Sequence, residues 1–351
     1  MMATRAARAA ALLVLLVAAM SAPAQDRSAA GAGPAELRGA GATFPAPLYK
    51  KWIDAYRKLE PATRIAYAEV GSGEGAQRFL ADAVDFGASD AALTDEQIAG
   101  ARNGAVLVPA TAGMVVLTYN LPGLNGPLKL SRTTYVALLA GKIPKWNDAR
   151  IQATNPGLNL PDREIVLVAR LDSSGTTYAL TNHLSAISHQ WRERGPGVGK
   201  LIAWPANTML VRGNEGVAAR VKISVGSVGY VEYSFARHLK LPVAHLENKA
   251  GRFVAPGDGV GEATLTSNLG AVPANLRVFL PDPDGADAYP IVTFSWLLLR
   301  QRYGDPAKTE ALKRFVTWGL GEGQNYGPGL GYIRLPGEMA AQGKAAVAAI
   351  H

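Results

Sequence analysis

Along most of the chain, short apolar runs alternate with stretches in which apolar residues return at helical spacing. Residues 36–38, 64–70 and 106–108 read as strands, with helical patterns at 45–59 and 76–84 between them. Further on, 114–119, 165–170, 228–233 and 291–300 read as strands, and 133–140, 176–187 and 308–320 as helices. Such alternation predicts an α/β sheet. In 45–59 the apolar Leu48, Trp52, Ile53 and Tyr56 share one helical face, and Pro45 suits the first turn. Composition breaks near Ala112-Gly113 and over residues 281–289 mark where the chain is expected to pass between two lobes and return. No internal repeat and no low-complexity segment stands out after the leader.

That leader departs from the pattern. Arg5 and Arg8 precede an uncharged apolar run at 11–20, and Ser21-Ala22-Pro23-Ala24 ends in an A-x-A sequence. This reads as a secretory signal peptide cut after Ala24, because the run is too short to span a bilayer. Residues 25–36, rich in Ala, Gly and Ser, read as a flexible lead-in, with the fold starting near Leu37. The most apolar later stretch, 291–299, is also too short to cross a membrane and reads as a buried strand.

Composition narrows the function. At 351 residues, 48% hydrophobic and 18% charged, the chain is globular and long enough for about two domains. The absence of cysteine excludes a disulfide framework, thiolate nucleophiles, zinc ribbons and the lipid-bearing Cys of a bacterial lipoprotein. The net charge of +8 is spread without a run of five basic residues. Together with export, that argues against nucleic acid while remaining compatible with small anions.

Three segments repeat one local chemistry. Gly39-Ala40-Gly41-Ala42-Thr43-Phe44-Pro45, Gly71-Ser72-Gly73-Glu74-Gly75 and Asp172-Ser173-Ser174-Gly175-Thr176-Thr177 each follow a strand-like run and open a helix-like one. Such turns leave backbone N–H groups unpaired at the positive end of a helix dipole, beside a hydroxyl, which is how an oxyanion is held. Any one of them is equally explained by ordinary helix capping. The information lies in there being three. A dinucleotide fingerprint fails because Phe44 stands at the third glycine position, and neither Gly141-Lys142 nor Gly199-Lys200 completes a Walker A motif.

Charged neighbours refine this picture. Arg170 ends the strand before the third turn, and Asp172 is placed to hold its guanidinium as a planar fork for an oxyanion. Asp90 ends the apolar approach 84–90; a carboxylate there repels an anion unless the anion brings a proton, a condition that selects hydrogen phosphate over sulfate. Catalytic readings find little support: His183, His189, His238, His245 and His351 form no H-E-x-x-H, and no serine sits in G-x-S-x-G. No cofactor or metal ligand set is expected. Glu74 and Asp90 have no defined separation that would make them an acid/base pair.

Residues 39–47 (GAGATFPAP), 84–90 (VDFGASD), 141–147 (GKIPKWN), 170–176 (RLDSSGT) and 229–233 (GYVEY) together resemble the periplasmic phosphate-binding protein of the phosphate ABC transporter, a likeness running from about residue 37 to 320. The resemblance implies an α/β periplasmic-binding-protein fold of type II-like form. Its two lobes, 37–112 plus 290–351 and 113–289, would be joined by a two-strand hinge and close on one phosphate. It implies donors from Ala42, Thr43 and Phe44 in the first turn and Ser72 in the second. Asp90 would accept the phosphate proton, Arg170 would pair with its charge, Asp172 would orient Arg170, and Ser174, Gly175 and Thr176 would complete the site.

The function so implied is a high-affinity, non-enzymatic receptor in the periplasm, monomeric, delivering inorganic phosphate to an inner-membrane ABC permease. Two positions depart from the family pattern: Glu74, where Gly is frequent, and Ser173, where Gly is common. Glu74 is expected to face solvent and favour the helix dipole. The competing readings are a receptor for sulfate or molybdate, a secreted phosphoester hydrolase that grips a phosphoryl group with the same turns, and a surface protein that keeps the fold without transport.

Overall fold

In the computed structural model the described residues are 35–351; the signal peptide expected at 1–24 and nearly all of the lead-in expected at 25–36 lie outside them. Among the described residues eleven strands form two sheets. The large sheet contains β1 (Ala35–Gly41), β2 (Thr63–Glu69), β3 (Phe86–Ser89), β4 (Val106–Tyr119), β6 (Val166–Arg170), β7 (Met209–Val211), β8 (Ser227–Glu232) and β11 (Val292–Leu299), in the order β2-β1-β3-β11-β4-β8-β6-β7. The small one pairs β5 (Lys129–Leu130), β9 (His245–Glu247) and β10 (Phe253–Val254). β1 begins at Ala35, paired with Thr63, so the last two lead-in residues already belong to the sheet.

Parallel pairing binds β1 to β2 and β3, and β6 to β7 and β8. The antiparallel β11 and β4 sit between these groups. Residues 106–114 of β4 pair with β11 and 115–119 with β8, so a single strand of 14 residues crosses the sheet centre. The sequence pattern separates 106–108 from 114–119; here they are one strand, and Ala112-Gly113 lies inside it. Pro109, which cannot donate to a ladder, is accommodated because the register with β11 slips between Ser295 and Trp296.

The helix Ala46–Leu59 buries Leu48, Tyr49, Trp52 and Tyr56. Tyr49 takes the core position expected for Ile53, which is half-buried. Trp52 stacks edge-on against Phe315 and Trp318 and donates its indole N–H to Gly323 O at 2.7 Å. This contact ties the C-terminal segment to the first helix. Farther on, the helix Gly337–Ala348 lies against β4. Among the described residues no helix is long and apolar enough to cross a membrane.

Candidate functional site

In an open α/β sheet the carboxyl ends of parallel strands leave their following turns and helix N-termini converging on one edge. β1, β3, β6 and β7 deliver Thr43, Asp90, Arg170 and Asn214 in this way; Asn214 bonds Thr43 directly, and Arg170 and Asp90 join through Thr176 and Ser72. Two glycines make the approach possible. A Cβ on Gly75 would lie 2.2 Å from the Gly41 Cα, so the helix Ser72–Leu80 sits backbone against backbone on the first turn. Gly175 comes equally close to its neighbours, where a Cβ would meet Ser72 Oγ at 2.4 Å and Asp90 Oδ2 at 2.6 Å.

The three turns expected from sequence thus touch, and the main chain links them. Gly73 N–H donates to Ser173 O at 2.9 Å and Gly175 N–H to Ser72 Oγ at 3.1 Å. Ser72 Oγ also accepts from Asp90 N–H at 3.2 Å. Thr43 Oγ1 accepts from Asn214 twice, from N–H at 3.1 Å and Nδ2 at 2.9 Å, and Thr176 Oγ1 accepts from Asn214 Nδ2 at 3.1 Å. Thr43 Oγ1 has its lone pairs occupied by amides and keeps its proton to offer, while the Ser72 and Thr176 hydroxyls spend theirs only on long 3.4 Å contacts to Asp90 Oδ2 and Asn214 Oδ1, so the set can turn its protons to an anion. Ser174 Oγ caps Thr177 N–H at 3.1 Å and retains its own proton likewise.

The main-chain N–H groups of Phe44, Ser72 and Thr176 find no acceptor among the described residues. The last two occupy first helical turns, where no intrahelical acceptor exists. Ala42 is a correction to the expected donors: its N–H is spent on Ala88 O at 2.9 Å and its carbonyl accepts from the Tyr67 hydroxyl at 2.7 Å. It therefore braces the turn. Gly175 N–H is likewise engaged, by Ser72.

Arg170 is 2% exposed and held in a fork by Asp172, through Nε to Oδ1 at 2.8 Å and Nη2 to Oδ2. Asp172 Oδ1 also accepts from Gly213 N–H at 3.0 Å. Burial alone would raise the Asp172 carboxyl, but the Arg170 hydrogen bonds and charge outweigh it and hold it below the usual range. Nη1 is the free end of the guanidinium, with only a long contact to Thr176 Oγ1 at 3.5 Å. Asp90 has no such partner. Burial pushes its carboxyl up to about 7, against the opposing pull of the Ser295 hydroxyl, Arg170 and Ser72. Ser295 donates to Asp90 Oδ1 at 2.7 Å from the position where the β11 register slips.

Asn214 and Ser295 were missed in the sequence. Asn214 follows β7 in a fourth glycine turn, Val211-Arg212-Gly213-Asn214, that opens the helix Gly213–Ile223, but it carries an amide where the other turns carry hydroxyls. Ser295 had one signal: a hydroxyl inside an apolar strand must find a buried partner. Glu74 is half exposed and pairs with Arg78 at 2.5 Å, facing away from the cluster as expected of it. Ser173 lends its carbonyl to Gly73. A cavity of about 690 Å³ between Arg132, Trp191 and Trp204 touches none of these residues, and the described residues contain no cluster of metal ligands.

The array can therefore grip a compact tetrahedral oxyanion with hydroxyl, amide and guanidinium donors, and it faces that anion with one carboxyl. Comparison with known proteins points the same way. Residues 24–322 match a family profile described as PBP superfamily domain. A phosphate-binding protein PstS of Pasteurella multocida is 38% identical over 304 residues, covering 86% of this chain and 87% of the relative. One of Methanocaldococcus jannaschii is 38% identical over 335 residues, covering 89% and 85%. Two solved structures share the fold. A periplasmic phosphate-binding protein, PfluDING, bound with phosphate, superposes with TM-score 0.73 at 22% identity, covering 88% of this chain and 93% of that one. A phosphate-binding protein from Stenotrophomonas maltophilia gives 0.71 at 22% identity, with the same coverages.

Proposed function

The chain belongs to the PBP superfamily and, within it, to the PstS phosphate-binding proteins, and from that premise we propose that it is a receptor for inorganic phosphate. The observation that carries this reading is the donor array closed around Arg170, with Asp90 as the single carboxyl that a ligand proton would satisfy. Thr43 and Phe44, Ser72, Arg170 through Nη1, and Ser174 and Thr176 donate to the phosphate oxygens, while Asp90 accepts the phosphate proton. Asp172 fixes Arg170, and Asn214 orients the Thr43 and Thr176 hydroxyls so that their protons face the ligand. Sulfate, which brings no proton at neutral pH, leaves Asp90 opposing it without a hydrogen bond.

The two lobes, 37–112 plus 290–351 and 113–289, meet at β4 and β11. The bonds from Asn214 to Thr43, Gly175 to Ser72 and Gly73 to Ser173 all run between them. Phosphate contacts both lobes at once and so stabilises the closed form over the open one. The protein performs no chemistry. It works in the periplasm after removal of residues 1–24, acts as a monomer, and hands phosphate to an inner-membrane ABC permease.

Calorimetric titration of the mature, phosphate-stripped protein at neutral pH tests the assignment. The expected result is tight one-to-one binding that excess sulfate does not displace, with no phosphatase activity in the presence or absence of divalent metal. Absence of phosphate binding would overturn the receptor, and phosphoester turnover would replace it with the hydrolase.

A further inference from the structure

Glu232 ends β8 with no exposure at all, yet the site described above gives its side chain no task. Among the described residues it joins no salt bridge, and its Oε1 finds no hydrogen-bond partner beside Gly113. Its Oε2 accepts the Ser234 N–H at 2.9 Å and lies in short contact with Ser234 Oγ. Ser234 Oγ is 3.0 Å from Tyr332 Oη, which is 2.6 Å from Phe44 O.

Three contacts along this line share two hydroxyl protons. Phe44 O, in the peptide bond to Pro45, only accepts, so the Tyr332 proton goes there. The single Ser234 proton can fill the contact to Glu232 or the contact to Tyr332 but not both, and with it on Tyr332 a proton on Glu232 fills the remaining contact, so that only a neutral Glu232 leaves none of the three empty. The surroundings agree. Burial pushes the Glu232 carboxyl well above the usual range, with the charge of Asp90 adding to it. The titratable groups facing it are Asp90 beyond β3, Tyr332 from the C-terminal segment and Tyr233 beside it, none of them a cation.

We propose that Glu232 is a positioning residue held as a neutral carboxylic acid, starting a hydrogen-bond relay through Ser234 and Tyr332 that fixes Phe44 and joins the two lobes. Glu232 and Ser234 belong to one lobe, Tyr332 and Phe44 to the other, so the relay is complete only when the lobes meet. The inference rests on the receptor reading for its effect on phosphate, but not for the proton on Glu232. The two buried carboxyls then divide the work: Asp90 ionises to take the ligand proton, and Glu232 stays neutral.

Infrared difference spectra of the wild type against Glu232→Gln at pH 8, paired with phosphate titrations, test it. The wild type should show a protonated-carboxyl C=O band that Glu232→Gln lacks. Because the Gln amide also donates, that variant should bind phosphate within about threefold of wild type, whereas Glu232→Ala, Ser234→Ala and Tyr332→Phe should weaken binding roughly three- to tenfold, the effect of losing one positioning hydrogen bond. Identical carboxyl bands in wild type and Glu232→Gln would overturn the proposal. Equal weakening by Gln and Ala would do the same, and where the Ala variant does not fold, Ser234→Ala takes its place in that comparison. A wild type that binds no phosphate would instead sink the receptor reading, with the band still deciding the proton.

Discussion

Asp90 and Asp172 hold matching places, each just past the carboxyl end of a parallel strand and each against a glycine turn, yet their surroundings drive them in opposite directions. Asp172 meets the Arg170 fork and the Gly213 amide, which together stabilise its charge. Asp90 is as buried, but its nearest partners are two hydroxyls, and burial prevails. The lesson is that burial does not set the state of a carboxyl by itself; the donor opposite decides. One carboxylate is permanent and structural, the other is poised to exchange a proton with a ligand.

The comparison breaks most severely if its cation is removed. Arg170→Met leaves Asp172 buried without its partner, so chemical denaturation should report a loss of roughly 3–5 kcal/mol and calorimetry no phosphate binding. Next comes pH. Asp90 rises from an ordinary carboxylate value to about 7 on folding, so between about pH 4 and 7 the folded protein holds a proton that the unfolded chain has released. Asp90 alone should therefore cost the phosphate-free protein up to roughly 4 kcal/mol across that window as pH rises, and Asp90→Asn should remove that share of the slope, leaving the share of the same sign that the raised Glu232 carboxyl contributes. Asp172 has the opposite sign: the stability from its pairing is present above the ordinary carboxylate range and is lost as pH falls below it. Denaturation midpoints in phosphate-free buffers from pH 3 to 8 would separate the two.

Smaller effects sharpen the picture. Asn214→Leu removes the amide that fills the Thr43 and Thr176 lone pairs, and should weaken phosphate roughly tenfold by titration. Glu74→Gln should change affinity less than threefold, because Glu74 is half exposed and paired with Arg78 outside the cluster.

Much of this was legible in the residues. The glycine-and-hydroxyl turns were visible because helix N-termini have a local signature, and Arg170 with Asp172 because opposite charges two residues apart at a strand end lie within reach of one another. The limits of β2, β6, β8 and β11 were also local and fall within one residue of the pattern, whereas the short β3 and β7 carried too little of it to be read. What escaped depends on long-range geometry. Asn214 is 171 residues from the threonine it orients, and Ser295 lies 205 from Asp90 and acts only because the β4–β11 register slips beside it. The continuity of β4 through Pro109 and Gly113 was hidden by two residues that ordinarily end strands. Ala42 looked like a donor until its N–H was found in the sheet.

The central claim is that Asp90 admits phosphate because phosphate brings a proton. Its most direct test is competition calorimetry of phosphate against excess sulfate, comparing the wild type with Asp90→Asn at pH 8. The account predicts that wild-type phosphate binding is undisturbed while the Asn variant, able to donate to either anion, binds sulfate and loses its discrimination. Equal rejection of sulfate by both proteins would contradict it.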